Sequence, residues 1–451
     1  MAPTAPPRVP SEVMAILDRL AAAGHAAYLV GGGVRDALLG RGETDWDVAT
    51  DARPERILEL FPAARYENRF GTVSVGAAEV TTFRRDHLYA DHRRPDSVTF
   101  TDDLAEDLAR RDFTVNAIAW GRPAGGSAAG WADPTGGLAD LAARRLRAIG
   151  DPARRFDEDA LRLLRAARLA AQLDFEIEPR TLSAMRTGGP LAAHLSGERI
   201  GMELRKMLAA KPPSRGFAIL AQTAVLEHVL PELAAQLGVP QTKASGGDLW
   251  QHCLATLDGA ASVEPGNQRL LLAALLHDIG KPSTAADGRF IGHDTEGALL
   301  AEALLIRLGL PRRLADEVAT LVRQHMFSYE SRWSDAAVRR FVRRIGRELV
   351  DDLLRLRQAD NIGSGLPADA GNLDELRQRV ADQLAAGVPL SLAELAIDGN
   401  VLIGELGIEP GPRVGWLLER LLEQVVADPA RNTPGRLLAD ARALLGAQAA
   451  G

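Results

Sequence analysis

The chain has 451 residues and one cysteine, Cys253. A single thiol excludes an intramolecular disulfide and fits a reducing compartment. Cys253 lies beside His252 in a helical pattern and reads as packing. No apolar run approaches the length of a membrane span. The opening residues, MAPTAPPRVP, lack the apolar core of a signal peptide and read as a disordered lead-in. Positive charge is not in excess: the formal net charge is −7. That argues against indiscriminate nucleic-acid binding and leaves room for a local basic face. No fixed-period repeat is evident. A hydrophobic share of 46% and a charged share of 25% are ordinary for globular proteins. The length implies several domains. These features together predict a cytoplasmic location.

The texture changes once along the chain. Up to about residue 150, short β-like segments alternate with helical ones. A helix is expected from Ser11 to Gly24. Strands are expected at Ala27–Val30, Trp46–Ala49, Gly71–Val75, Glu79–Phe83 and Val98–Phe100. Pro54 opens a helix at Glu55–Phe61, and Leu104–Arg110 reads as another. Arg84–Ser97 is loop-like and mixed in charge. After residue 155, Leu/Ala/Arg-rich segments with apolar residues at spacings of three and four dominate. The pattern predicts an α+β protein, an α/β head on an elongated all-helical body.

Residues 30–50 carry most of the chemistry. An apolar run, Tyr28–Val30, meets three glycines, Gly31–Gly33. This predicts a strand breaking into a tight turn, with a short helix from Val34 to Leu39. Glycine lets backbone approach a ligand closely, and helix N-terminal amides suit phosphate. Arg35 adds a fork of donors matched to phosphate oxygens. Asp45 and Asp47 stand two apart in a β-prone segment, which puts both carboxylates on one strand face. Two carboxylates plus nucleotide phosphates are a usual Mg²⁺ site, and paired ions stabilise in-line phosphoryl displacement.

Asp159, Arg162, Arg165 and Arg168 are three apart, so on one helix they share a side, while Leu161, Leu164 and Ala167 pack inward. The plain alternative is a surface helix with an Asp/Arg ion pair. Further on, His252, His277-Asp278, His293, His325 and Asp360 recur in helical segments. Imidazoles and carboxylates in such a set suit a divalent transition metal or Mg²⁺. Between them, Arg339, Arg340, Arg343, Arg344 and Arg347 form the densest basic run, with the last four on one helix side. A solvated face and an RNA-binding face both explain it. In segment 390–446, turns at 397–400 and 406–412 precede an amphipathic helix, Val414–Val426. That pattern fits backbone amides presented to RNA phosphate, or a connector between helices.

The wording resembles the nucleotidyltransferase superfamily, specifically the class II tRNA nucleotidyltransferase and bacterial poly(A) polymerase family. The matching stretches are LVGGGVRDALLG (29–40), TDWDVAT (44–50), VTTFR (80–84), YADHRRPDSV (89–98), DLARRDFTVNA (107–117), DPTGG (133–137) and RFDEDALRLLRAAR (155–168). The resemblance covers the first half of the chain and implies a polymerase-β-like head. It implies Asp45 and Asp47 as Mg²⁺-holding catalytic residues that activate a 3′-hydroxyl. It also implies nucleotide contacts from Gly31, Gly32, Arg35, Arg111 and Asp112, with the two arginines on the triphosphate. Glu158-Asp159-x-x-Arg162 resembles the element that reads the incoming base, with Arg165 and Arg168 along the same row. The segment 84–97 resembles a loop that helps switch from cytidine to adenosine.

The second constellation resembles an HD phosphohydrolase domain. Its metal ligands map to His252, His277, Asp278 and Asp360, and His293 and His325 match the extra histidines of two-metal versions. In the tRNA nucleotidyltransferases that the chain resembles, this domain is associated with phosphatase, 2′-nucleotidase and cyclic phosphodiesterase activity, with Mn²⁺, Ni²⁺ or Mg²⁺. The expected division is a lead-in at 1–10, a head at 11–150, a base-reading and RNA-binding neck at 151–240, the HD domain at 241–365 and a tRNA-binding tail at 366–451. The expected partners are tRNA, CTP and ATP, and the expected reaction is addition or repair of the CCA end. Poly(A) polymerase is one alternative. An HD phosphohydrolase with a non-catalytic nucleotide-binding head is another.

Overall fold

The computed structural model describes residues 7–42, 45–68, 71–87, 97–126, 128–241, 243–244 and 246–449. They divide into two units, Met1–Ala234 and Ala235–Gly451. The first unit opens with helix α1 (Ser11–Ala22), whose Val13, Ile16, Leu17 and Leu20 are buried at helical spacing. Strand β1 (Ala27–Val30) follows and runs directly into α2 (Gly31–Leu38). Next come β2 (Trp46–Thr50), α3 (Pro54–Leu60), β3 (Arg65–Asn68), β4 (Thr72–Val75) and β5 (Ala78–Thr82). Then follow β6 (Arg84–His87), β7 (Ser97–Phe100), α4 (Leu104–Ala109), β8 (Ala119–Arg122), β9 (Gly130–Ala132), α5 (Gly137–Ala142) and β10 (Arg145–Leu146).

Seven strands form one mixed sheet in the order β3-β4-β5-β2-β1-β8-β9. At its centre β2 pairs antiparallel with β1 and parallel with β5. Val30, Ala49, Phe83, Leu108, Ala117 and Ala119 pack into a buried cluster on this sheet. The expected strands are present, with ends shifted by a residue or two. Two corrections apply. Residues 84–87 are not loop: β6 pairs antiparallel with β7 as a separate two-stranded ribbon. A ribbon outside the main sheet tolerates charged residues that a buried strand excludes. Residues 88–96 of the expected loop lie outside the described residues. Strands β3, β8, β9 and β10 were not expected either.

The same unit continues with α6 (Pro152–Glu158), α7 (Leu161–Leu173), β11 (Glu176–Ile177), α8 (Pro179–Gly188), α9 (Gly197–Met207), α10 (Ser214–Gln222), α11 (Val225–Val229) and α12 (Pro231–Ala234). Here β11 pairs with β10, so the β signal does not end quite at residue 155.

The second unit is helical. It contains α13 (Leu249–Val263), α14 (Gln268–Leu276), α15 (Lys281–Thr284), α16 (His293–Arg307), α17 (Arg312–Gln324) and α18 (Asp335–Ile345). After these come α19 (Val350–Gly363), α20 (Leu373–Ala385), α21 (Gly399–Leu406), α22 (Pro412–Ala427) and α23 (Pro434–Ala449). Every residue of α14 from Leu270 to Leu276 is buried, as expected of a helix apolar all round. None of the described helices is long and apolar enough to cross a membrane.

The basic run is mostly structural. Arg339 is buried and donates to the carbonyls of Val426 and Ala427 and to Gln383. Arg343 pairs with Glu419. Arg347 is not on the helix side expected for it: α18 ends before Gly346, at φ 98°, and Arg347 pairs with Glu394. Only Arg340 and Arg344 of the five remain on a common exposed side.

Gly121 of β8 stands opposite Tyr28 of β1. A Cβ there would lie 2.0 Å from the Ala27 carbonyl oxygen, so β1 and β8 pair at this spacing only with glycine at 121. Gly121→Ala should destabilise the protein by about 2 kcal/mol or more. Denaturant unfolding measures this, and a neutral substitution would mean that the strands separate freely.

Candidate active site and metal centre

The turn from β1 into α2 builds the first site. The glycines do not precede the helix, as expected from sequence; they form its first turn, because Gly31 takes φ +80° and the strand passes into the helix without a loop. In the β1–β2 register Val30 stands opposite Asp47. A Cβ on Gly31 would meet Asp47 Oδ2 at 2.7 Å and Arg111 Nη1 at 3.2 Å. Asp47 and Arg111 thus fill the space that glycine leaves. Gly32 lies against Arg35, 3.5 Å from a Cβ to Nη2.

Asp47 is on β2, whereas Asp45 precedes the strand by one residue and is exposed. The two carboxylates therefore flank the strand entry instead of both lying on it. Glu79 of β5 is the residue that sequence reasoning missed. It stands beside Asp47 in the parallel register, and its side chain is exposed. Its position in the alternating Ala78–Thr82 strand was the available signal. Burial pushes the Asp47 carboxyl above its ordinary value, Arg111 draws it back, and Glu79 and Asp45 push it further up. A desolvated carboxylate beside two others is a donor set that a hard divalent cation relieves. Arg111 Nη2 lies 3.4 Å from Asp107 Oδ2, while its buried Nε has no hydrogen-bond partner among the described residues.

Behind this rim lies a braced layer. Arg35 is buried and donates through Nε and Nη2 to Asp36, at 2.9 and 2.8 Å, and through Nη1 to Asn116. Asn116 in turn donates to Asp112 at 3.0 Å. Asp112 also accepts from the Phe113 amide and, through Oδ2, from Nε and Nη2 of Arg165. With both oxygens occupied, Asp112 braces its neighbours and does not face open space. One turn further along α7, Arg168 donates to Glu203 of α9 at 2.6 Å and to Gln172 at 2.9 Å.

Asp159 is not on the helix with the arginines. It caps α6, with φ −150°, and α7 starts at Leu161. The break is closed locally: the Asp159 carbonyl accepts from the Arg162 amide at 3.0 Å, and its side chain accepts from the Leu161 amide at 3.1 Å. Arg199 of α9 donates one Nη2 to both oxygens of Asp159, at 2.9 and 3.1 Å. Glu158 accepts from Arg155 and Arg162 at 2.8 and 2.9 Å. Leu161, Leu164 and Ala167 are buried, as their row predicts.

The second unit gathers the other set. His252 comes from α13, whose start is fixed by a capping box between Asp248 and Gln251. His277 caps α14, and Asp278 follows in the break before α15, so the apolar helix stops at the ligands instead of running through them. His293 opens α16, His325 caps α17 and Asp360 lies on α19. All six are buried. His252 Nε2 is 3.1 Å from His277 Nε2 and 3.3 Å from Asp360 Oδ1. Asp278 Oδ2 is 3.1 Å from His277 Nε2, and its Oδ1 is 3.4 and 3.6 Å from Nε2 of His293 and His325.

Second partners set the tautomers. Nδ1 of His277, His293 and His325 donates to the carbonyls of Ala274, Phe290 and Val322, at 2.9, 2.7 and 2.6 Å. Each Nε2 then carries a lone pair aimed at carboxylate oxygens. Burial pushes the His277 imidazole below its ordinary value, against the pull of Asp278. The buried Nε2 atoms of His293 and His325 have no hydrogen-bond partner among the described residues. Three sets of donor atoms lie within 4.8 Å of one another, His252/His277/Asp360, Asp278/His293/His325 and Cys253/His277/Asp278. Imidazole and carboxylate atoms that converge in this way fit divalent metal. Cys253 is fully buried, with its thiol pushed well up by burial, and stands among the donor atoms of this centre, a position that its reading as packing did not include.

Residues 27–147 match the family described as the poly A polymerase head domain. Residues 174–237 match the probable RNA and SrmB-binding site of polymerase A, and residues 249–386 match the HD domain. The chain is 33% identical over 435 residues to a CCA-adding enzyme of Geobacillus thermodenitrificans, covering 95% of both chains. It is 44% identical over 230 residues to a CCA-adding enzyme of Geobacillus stearothermophilus, covering 50% of this chain and 55% of that one. A crystal structure of the Bacillus stearothermophilus CCA-adding enzyme in complex with CTP superposes with a TM-score of 0.67 at 29% identity, over 97% of this chain and 98% of that one. The chain belongs to the CCA-adding enzyme family.

Burial pushes the Asp112 carboxyl up, but Arg165 and Asn116 outweigh it and hold it well below the usual range. A depressed folded value stabilises the fold above the unfolded value, about 3.9, and the contribution fades as pH falls below that. Asp112→Asn should cost about 3 kcal/mol at pH 7 by leaving Arg165 unpaired. The gap to the parent should narrow steadily below about pH 4. Urea unfolding across pH 2–7 tests this, and a gap independent of pH would remove the charge from the explanation.

Proposed function

We propose that this chain builds or repairs the CCA 3′ end of tRNA from CTP and ATP without a nucleic-acid template. The observation that carries the reading is Asp47, seated beside Asp45 and Glu79 against the glycine-opened start of α2 and Arg111, in a chain related over 95% of its length to a CCA-adding enzyme. Asp45 and Asp47 hold Mg²⁺, which when bound neutralises charge on the α-phosphate and makes the tRNA 3′-hydroxyl more acidic. Gly31 and Gly32 let the triphosphate approach the backbone. Arg111 offers its unpartnered Nε to a phosphate oxygen. Arg35 keeps two of its five N–H groups beyond those spent on Asp36 and Asn116. Asp112, Arg165 and Arg168 act by bracing.

Asp159 and Arg162 read the base edge, with Glu158 orienting Arg162 and Arg199 holding Asp159 in one rotamer. Preorganisation of this kind is what discrimination between edges requires. The proposed division is a head at 11–150, a neck at 151–240, an HD domain at 241–365 and a tRNA-binding tail at 366–451, in a cytoplasmic protein. At the HD centre His252, His277, Asp278, His293, His325 and Asp360 hold divalent metal, Mn²⁺, Ni²⁺ or Mg²⁺. Divalent metal held by these six side chains would supply the Lewis acidity that hydrolysis of phosphate or cyclic phosphate ends requires.

The test is incubation with tRNA lacking CCA and with CTP, ATP or both, followed by sequencing of the products. The expected product is CCA only when both nucleotides are present. Runs of A from ATP alone would indicate poly(A) synthesis instead. Asp45→Ala or Asp47→Ala should lower addition by about a hundredfold or more with the fold intact. Near-normal transfer with Mg²⁺ as the only metal would refute the assignment. Asp159→Asn or Arg162→Ala should reduce discrimination against UTP and GTP by about tenfold or more, since unpaired buried polar groups are what reject a wrong edge. Equal rate losses for all four nucleotides would mark the pair as purely structural.

A further inference from the structure

Cys253 lies outside the six residues that the sequence pattern assigned to the HD centre, yet its sulfur belongs to one of the three converging donor sets. That set is Cys253, His277 and Asp278, and all three side chains are buried. It shares His277 with the His252/His277/Asp360 set and Asp278 with the Asp278/His293/His325 set. The chain's one thiol is therefore next to residues of both other sets.

Local structure explains how it arrives there. His252 and Cys253 are neighbours on α13, and successive side chains on a helix diverge by about 100°. Two such neighbours serve one centre only where it lies between their directions. His277 is common to both: its Nε2 is 3.1 Å from His252 Nε2, and it shares a donor set with Cys253. Helix α14 stops at His277, so the backbone turns and Asp278 enters the same space.

A buried cysteine ordinarily packs as a small apolar side chain. Two observations set Cys253 apart. The buried Nε2 atoms of His293 and His325 aim at Asp278 Oδ1 from 3.4 and 3.6 Å, with no hydrogen-bond partner among the described residues, so the centre around the sulfur is built for a ligand. The carboxylates are also partly engaged already. Asp278 Oδ2 accepts from Lys281 Nζ at 2.6 Å, and Asp360 Oδ1 lies 3.5 Å from Lys243 Nζ. An ammonium beside each carboxylate lowers its pull on a second cation, so nitrogen and sulfur carry more of the binding.

We infer that Cys253 is a metal donor of the HD centre, and that its sulfur, with His277 and Asp278, makes the centre select a borderline-soft divalent ion such as Zn²⁺ or Co²⁺ over a hard one such as Mg²⁺. The inference rests on the reading of this centre as a metal site and narrows the ion that it takes. Sulfur binds as thiolate, and its proton leaves to solvent as the ion arrives. Thiolate and imidazole suit the later first-row ions, whereas Mg²⁺ keeps to oxygen.

The experiment uses the full chain carrying Asp45→Ala and Asp47→Ala, so that ion binding reports the HD centre, loaded with Co²⁺ in thiol-free buffer. Because the chain has a single cysteine, an intense thiolate-to-cobalt charge-transfer band in the near ultraviolet has one source. The expected result is such a band, with bound Co²⁺ counted by atomic spectroscopy, and its loss in Cys253→Ser and Cys253→Ala. In equilibrium dialysis both variants should lose affinity for Zn²⁺ and Co²⁺ by about tenfold or more, and affinity for Mn²⁺ by much less. A packing role would instead lower affinity for all ions alike and spare Cys253→Ala, which keeps the position apolar. The band in protein that retains Cys253 decides the matter even where a variant fails to fold. Co²⁺ bound without the band, or Zn²⁺ and Mn²⁺ affinities shifted equally in both variants, overturns the donor assignment and leaves the metal centre standing. Protein that binds none of these ions removes the metal centre, and the donor with it.

Discussion

Asp47 sits against the first turn of α2 only because position 31 carries no side chain. A methyl group there would meet its carboxylate at 2.7 Å and the Arg111 guanidinium at 3.2 Å. The left-handed φ of Gly31 also allows β1 to pass into α2 with no intervening loop. One backbone position thus sets the distance between a desolvated carboxylate, an arginine and a row of helix amides. The central place of β2 in the sheet fixes the rest. Pairing with β1 sets Asp47 opposite Val30, and pairing with β5 brings in Glu79.

The layer behind that contact is held by charge more than by apolar packing. Arg35, Asn116, Asp112 and Arg165 form one connected chain of hydrogen bonds. Glu203–Arg168 and Asp159–Arg199 add two further ties between α9 and the residues around the α6–α7 break. Such pairs offer little net stability over apolar replacements, whereas removing one partner strands the other at a cost of about 3–5 kcal/mol. Their value lies in orientation. Arg199 and Glu158 restrict Asp159 and Arg162 to single arrangements, and the buried leucines of α7 hold the helix that carries Arg162.

What the sequence made legible follows from how local each signal is. The Gly31–Gly33 run, the Asp45/Asp47 spacing and the six His/Asp positions are local patterns with chemical content, and the structure gathers each set. Period-2 patterns marked five of the eleven described strands, β1, β2, β4, β5 and β7, and period-3.6 patterns marked the longer amphipathic helices, among them α1, α18 and α22. The α6–α7 break at Asp159 was hidden because helix stands on both sides of it, Pro152–Glu158 and Leu161–Leu173, with no proline or glycine between them. The helix start at Gly31 was hidden because glycine at a helix N-terminus looks like a turn. Glu79 became a site residue only through sheet pairing, and Arg343 and Arg347 were spent on partners 76 and 47 positions further along the chain, which no local pattern shows.

In the proposed function one nucleotide spans from Asp45 and Asp47, across Gly31, to Asp159 and Arg162. The direct measurement is a crystal structure of the full chain with CTP and Mn²⁺, with the metal located by its anomalous signal. The expected result is Mn²⁺ density on the Asp45 and Asp47 carboxylates, the triphosphate over Gly31 and Gly32 with Arg111 in contact, and the cytosine edge on Asp159 and Arg162. Metal held by neither carboxylate, or a base directed away from Asp159 and Arg162 with the triphosphate in place, would contradict it.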